Sequence, residues 1–342
     1  MTTPTPHDTY GEDGDFQYMN GNIGGGITIE TAAPYFRVGV ARSAILVSGG
    51  VAFAQRLWPA GPLSSGWMTH RVWCDNEGNV NVSTPFLALV DASGIPRIVI
   101  FNTGTNAPGP YSVYKVNAVG AQTLLGVTLS GFSIQPASPD KFDINFNYAA
   151  EGFLTLHINK SQVFTFTGDI TTDGVTALGG VNLGNNTGRA DSAWSEGHVS
   201  DSDTRDYSVY TCAGTAAGTL DQMTGEVSNV NQPIVNDLVF DTTTTSGAVQ
   251  RYLMSGPSIG NQDVVCVTTN VRCTEGGGSL SHIALAQLIG GEAFVSAAEA
   301  LPTAFVAPGV QFNQTVNPKT GVAWTSADLN AAAYEAGMQV ST

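Results

Sequence analysis

The residues in this chain that could do chemistry are acidic and aromatic, and they are few. Asp201-Ser202-Asp203-Thr204-Arg205-Asp206 sets carboxylates at alternate positions, as a calcium loop does, with Asp201 and Asp203 as candidate ligands. Arg at the fifth position and Asp where such a loop turns on Gly make a turn held by local hydrogen bonds the simpler reading. Glu196 and Arg205 form a second candidate. If 194–200 and 206–212 are adjacent strands about a turn at 201–204, the two side chains pair across the strands and brace a domain boundary. Trp58, Trp67 and Trp73 fall near strand ends, where an exposed indole can stack on a sugar face, although burial is the commoner fate of such rings.

Other chemistries lack their residues. Hydrolysis of a glycosidic bond by two carboxylates places them about 5 to 9 Å apart, commonly at alternate positions of one strand face, and no Glu-x-Asp-x-x-Glu run occurs. The five histidines, His7, His70, His157, His198 and His282, accompany no Gly-x-Ser-x-Gly elbow and no cysteine nucleophile signature, and no pair has zinc-ligand spacing. Gly24 to Gly26 lead into a strand, without the helix whose first turn receives a phosphate. The expectation is a chain without enzymatic activity and without a cofactor, Ca2+ being the one ion with any candidate ligands.

These groups sit in a chain of 342 residues with net charge −15, from 13 Lys and Arg against 28 Asp and Glu. Four Lys and nine Arg, scattered, do not build a phosphate-binding surface, so nucleic acid is excluded as a partner. No run of 18 apolar residues exists and the amino-terminal stretch has no basic start, so neither membrane insertion nor a secretory leader is expected, and assembly belongs to the cytoplasm. Four cysteines are too few for a disulfide scaffold and are expected as thiols.

The elements that must position these residues are strands. Forty glycines, few charges and many Val, Ile, Phe and Tyr favour short strands joined by turns. Phe142, Ile144, Phe146 and Tyr148 alternate with Asp143, Asn145 and Asn147; Leu154, Leu156 and Ile158 alternate with Phe153, Thr155 and His157; Phe164 and Phe166 alternate with Val163 and Thr165. This period of two predicts antiparallel sheets with one face on a core. Asp91 to Gly94 and Asn159-Lys160 read as hairpin turns, Lys160 departing from the usual Gly.

Three segments follow. Residues 1–26, acidic, Gly-rich and without Lys or Arg, are expected as a free, flexible arm, the alternative being an arm that orders against a neighbouring subunit with Phe16, Tyr18 and Met19 as anchors. Residues 27–213 form one β domain, and residues 214–342 a smaller β-sandwich. The segments carry −4, −4 and −7, so acidity gathers toward the two ends. Near the carboxyl end, Trp324 is an apolar anchor and Thr325 with Asp328 resembles a capping box. Leu329, Ala332, Ala333 and Ala336, closed by Gly337, predict a docked helix over 326–336.

Two sets of motifs carry a resemblance. Lys141 to Asp169, with its Glu151-Gly152 turn, Asn159-Lys160 hairpin and Thr165-Phe166-Thr167-Gly168-Asp169 exit, resembles the laminin-G or concanavalin-A-like jelly roll, as do Asp91 to Gly94 and Gly66-Trp67. Trp194-Ser195-Glu196, Asp203-Thr204-Arg205 and the ending Asn317-Pro318-Lys319-Thr320-Gly321-Val322-Ala323-Trp324-Thr325-Ser326-Ala327-Asp328-Leu329-Asn330 resemble a recurrent family of tailed-bacteriophage virion proteins. The resemblance implies a structural protein of the virion with a jelly roll followed by a β-sandwich, most simply a tail, tail-tip or fibre component in host adhesion, with a capsid decoration or head-fibre protein as the alternative and a polysaccharide-degrading tailspike behind both. The implied partners are other virion proteins, further copies of the chain and a host-surface glycan.

Overall fold

In a computed structural model of the chain, residues 6–10, 16–19, 27–37, 41–47, 53–74, 85–102, 110–133, 136–184, 192–233, 236–256, 259, 262–307, 309–330 and 334–342 are described. They form two units, one spanning Thr5–Val209 and one containing Tyr210–Thr342.

The first unit holds β1 (Pro6–Tyr10), β2 (Gln17–Met19), β3 (Ile27–Glu30), β4 (Ala44–Val47), β5 (Phe53–Leu57), β6 (Ser65–Cys74), β7 (Leu87–Val90), β8 (Pro96–Asn102), β9 (Tyr111–Val116), β10 (Gln122–Val127), β11 (Asp140–Asn147), β12 (Gly152–Ile158), β13 (Ser161–Gly168), β14 (Gly180–Leu183) and β15 (Ser192–Ser200). An eight-stranded sheet runs β13-β12-β11-β6-β15-β4-β3, with β1 also on β15, and a seven-stranded sheet runs β10-β9-β8-β7-β14-β5-β2. All pairs are antiparallel, and the inward faces bury Met68, Phe86, Leu89, Ile98, Val113, Phe146, Leu156 and Trp194 in one core. The antiparallel sheets are those expected from the alternation, and the all-β jelly-roll architecture is the one the resemblance implied. Strands β1 and β2 come from the segment expected as an arm, and Phe16 lies in the core at 3% exposure.

Both predicted hairpins form by local hydrogen bonding. Asp91 Oδ1 accepts from the Ser93 and Ile95 amides, and Gly94 turns at φ +78 where an added Cβ would meet the Gln55 amide at 2.8 Å. Asn159 and Lys160 both take positive φ, 49° and 71°, so Lys160 accepts a conformation that usually selects Gly. Asn159 offsets the strain by receiving the Lys141 amide on Oδ1 and donating from Nδ2 to Asp140.

The second unit holds β16 (Gly214–Asp221), α1 (Val227–Val230), β17 (Val249–Met254), β18 (Val267–Val271), β19 (His282–Ile289), β20 (Glu292–Val295), β21 (Glu299–Ala300), β22 (Val310–Gln314), α2 (Ser326–Leu329) and β23 (Glu335–Ser341). Its main sheet runs β16-β17-β23-β19-β20, with β21 on β19; β18 and β22 form a separate pair. The capping box closes fully: Thr325 Oγ1 accepts from the Asp328 amide and Asp328 Oδ2 accepts from the Thr325 amide. Trp324 is buried at 2% and meets Tyr334 edge-on.

The predicted helix over 326–336 is corrected. It ends at Asn330, and Glu335–Ser341 form a central strand between β17 and β19; Ala332 and Ala333 lie outside the described residues. Gly337 is not a helix C′ residue. An added Cβ there would stand 2.0 Å from the Gln250 carbonyl oxygen, so close backbone approach in the sheet explains this glycine. Among the described residues no helix is long and apolar enough to cross a membrane.

Candidate functional site

Alternation along the eight-stranded sheet sends one set of side chains to the core and the other to the outer face, and register lines the outer set into rows. One row reads Gln162, His157, Asp143, Thr69, His198 across β13, β12, β11, β6 and β15. Beside it lie Thr165, Thr155, Asn145, Trp67 and Ser200, and on the other side Lys141, Arg71 and Ser195.

Residues 201–209 run over this face as a strap. Thr204 donates from Oγ1 to Asp143 Oδ1 at 2.9 Å, and the Lys141 ammonium donates to the Thr204 and Tyr207 carbonyls while standing 3.7 Å from Asp143. Lys160 pairs with Asp206, and the Tyr207 ring meets His198 at 5.8 Å. Burial lowers Lys141 to about 8, Asp143 opposing the shift. Burial, assisted by the charge of Arg205, also lowers His157 and so holds it neutral at pH 7.

Beneath the strap the face is incompletely satisfied. Asp143 Oδ2, Thr69 Oγ1, Ser195 Oγ, Thr155 Oγ1 and His157 Nδ1 are buried with no hydrogen-bond partner among the described residues. Asp143, Thr69, Ser195 and His157 are exposed by 4% or less. Buried polar atoms are normally paired, each orphan costing about 1–3 kcal/mol. Five such atoms lie on this one sheet face.

Trp67 stands at the edge of this cluster, half-buried, 5.7 Å from His157. The Arg205 guanidinium covers it at 5.2 Å and is held there by Asp203. Trp58 and Trp73 are elsewhere: Trp58 is in the core stacked on Phe146, and Trp73 is buried under Tyr35. The expected Glu196–Arg205 pair does not form, because residues 206–209 are strap and not strand. Glu196 sits at a bulge in β15 with φ 52°, bound bidentately by Arg37 and lying 3.8 Å from Arg71. Nor do Asp201 and Asp203 suit calcium: Asp203 gives both oxygens to Arg205, and Asp201 bonds Ser202. Among the described residues no cluster of three or more His, Cys, Asp or Glu is placed to hold a metal.

The sequence reading missed His157, Asp143, Thr69, Thr155 and Ser195 as a group. Their alternation was visible, but which positions face each other across β6, β11, β12 and β15 depends on register.

No protein-family profile and no curated protein matches the chain. Solved structures do. An endo-β-1,4-glucuronan lyase from the fungus Trichoderma reesei is similar over 60% of this chain and all of its own, with TM-score 0.40 and 10% identity. A carbohydrate esterase from Shiga toxin-encoding bacteriophage phi24B covers 58% of this chain and 100% of its own (0.36, 13%). Domain 4 of the Geobacillus stearothermophilus arabinanase AbnA, solved with arabinotriose, covers 60% and 98% (0.35, 16%). The expectation of a chain without enzymatic activity is corrected here, since chains similar to this one include lyases and an esterase. The missing carboxylate pair speaks only against hydrolysis by two carboxylates, not against chemistry run by other groups.

Proposed function

We propose that the chain is a surface protein of a tailed-phage virion, acting in host adhesion at the tail, and that its jelly roll binds a saccharide on the outer face of the eight-stranded sheet. One observation carries the binding reading: five orphaned polar atoms on the sheet face that carries Trp67, with His157 against the indole. Sugar hydroxyls both donate and accept, and the indole supplies an apolar platform for a ring face. The virion reading rests on the sequence motifs at 194–205 and 317–330.

Thr69→Val separates ligand recognition from folding. Removing an orphan hydroxyl in favour of an isosteric methyl should raise the stability of the free protein by up to about 1 kcal/mol, while weakening saccharide binding roughly tenfold by the value of one good hydrogen bond in a dry site. Calorimetric titration with unfolding curves checks both, and unchanged affinity in the variant sinks the reading. Imaging of labelled protein on the particle tests the station, a head location supporting the decoration alternative.

A second reading, cleavage of the bound glycan, is favoured by His157, which is neutral, buried and has Nδ1 free of any partner among the described residues beside the sugar platform. A neutral imidazole has a lone pair that can accept a proton, and the lowered pKa makes it a weaker base than a free histidine. Incubation with polysaccharide should then release new chain ends at a rate that His157→Gln lowers at least about a hundredfold without matching loss of binding; equal rates in variant and parent exclude His157 as the base.

A further inference from the structure

Two features of this face identify the chemical class of its ligand, an inference that rests on the saccharide reading above. The first is the charge arrangement. Arg37 and Arg71 both serve Glu196, Lys141 serves Asp143, Lys160 serves Asp206 and Arg205 serves Asp203, each with a carboxylate within 3.8 Å. Five cations share four carboxylates, and the one in excess, Arg71, is the second cation on Glu196, four residues along β6 from Trp67; the cation on Trp67 itself, Arg205, has its own carboxylate in Asp203. The second is the sign of the orphaned groups. Asp143 is fully buried, and its Oδ2 is an acceptor in want of a donor; it would bind a hydroxyl and repel an anion. Thr69, Thr155 and Ser195 add three hydroxyls and His157 a neutral imidazole, a set that complements hydroxyls and carries no net positive charge.

Arg205 shows where a ring would lie. Its guanidinium occupies the face of Trp67, fixed by two Asp203 contacts of 3.0 and 2.6 Å and belonging to a strap whose own ties run to Asp143, Lys141 and Lys160. A planar cation on an indole fills the space a pyranose takes when it stacks. We propose that the face binds an uncharged glycan, the 201–209 strap giving way so that one sugar ring replaces the Arg205 guanidinium on Trp67 while its hydroxyls meet Asp143, Thr69 and His157, which the strap covers in the free protein. In the free protein Arg205 is a competing occupant.

The full chain is titrated calorimetrically with uncharged gluco-, galacto-, manno- and arabino-oligosaccharides and with oligoglucuronates and oligogalacturonates of matched length, at low and moderate salt, alongside Arg205→Ala. The expected result is binding of an uncharged oligosaccharide, insensitive to salt, and tightened about two- to fivefold in Arg205→Ala, the loss of one exposed cation–π contact. Binding of oligouronates alone, weakening with salt, overturns the inference and leaves the saccharide reading standing. Binding of an uncharged oligosaccharide with equal or lower affinity in Arg205→Ala overturns the placement on Trp67. Binding of neither class overturns the inference and the saccharide reading together.

Discussion

Replacing Glu335 with alanine should destabilise the C-terminal unit by about 3–5 kcal/mol, the cost of leaving one member of a buried ion pair alone. Glu335 and Arg251 are each 5% exposed at the side chain and lie 3.4 Å apart on the neighbouring central strands β23 and β17. The carboxylate also accepts from the Thr219 amide at 2.9 Å and its hydroxyl at 3.0 Å, and Arg251 donates to that hydroxyl at 2.8 Å. The alanine variant therefore strands the buried Arg251 guanidinium, while the Thr219 amide it frees is exposed on the edge strand β16 and can turn to water. Removing both charges with Arg251→Met and Glu335→Leu should recover most of the loss, because two apolar side chains avoid the desolvation that the pair must offset. Denaturant midpoints for the single and double variants check this, and a single-variant loss below about 1 kcal/mol contradicts the account.

Acid should weaken the jelly roll well above the pH at which carboxylates protonate. His70 points into the core, edge-on to Trp194 at 5.6 Å, and complete burial lowers it to about 3. Between pH 6.5 and 3 the unfolded chain binds a proton that the folded chain does not, so stability is full above about 6.5 and falls as the pH drops through that window. At about 1.4 kcal/mol per pH unit, the step from 6.5 to 4 removes on the order of 3 kcal/mol. His157, also lowered by burial, acts in the same direction. His70→Gln should flatten the pH dependence between 6.5 and 4 by the His70 share. An unaltered slope in that variant would show that some other group governs acid lability.

The strands were legible because burial on one side only writes a period of two. Phe142 to Asn147 and Phe153 to Ile158 fall in β11 and β12 with the alternate residues inward, while in β13 a bulge opposite Leu156 and His157 puts the adjacent Val163 and Phe164 both in the core. The carboxyl-terminal strand was not legible for the opposite reason. Gly337 is small because the β17 backbone at Gln250 O passes too close for a Cβ, and smallness in sequence looks the same whether it serves a helix or a tight sheet. The site was half legible. Trp67 and Arg205 both stand out in the sequence, yet a strand–turn–strand reading of 194–212 points Arg205 to Glu196. A turn at 201–204 was expected to continue into a strand, whereas 201–209 lies across the sheet and brings Arg205 to Trp67. His157 read as an ordinary strand histidine because nothing local reveals that Nδ1 has no partner.

The position of β15 bears on how the molecule is made. This strand lies between β6 on one side and β4 and β1 on the other, the switch from β4 to β1 falling at the Glu196 bulge. It is also the last strand of the jelly roll to leave the ribosome. Until it emerges, β13-β12-β11-β6 and β4-β3 are separate pieces and β1 has no edge to join. The eight-stranded sheet is thus completed by inserting a keystone, the pairing of Pro6 with Ser200 being among its longest-range contacts. Folding limited by such late closure is slow and leaves strand edges open in the meantime, so nascent chains stalled before residue 192 should be the species most prone to aggregate.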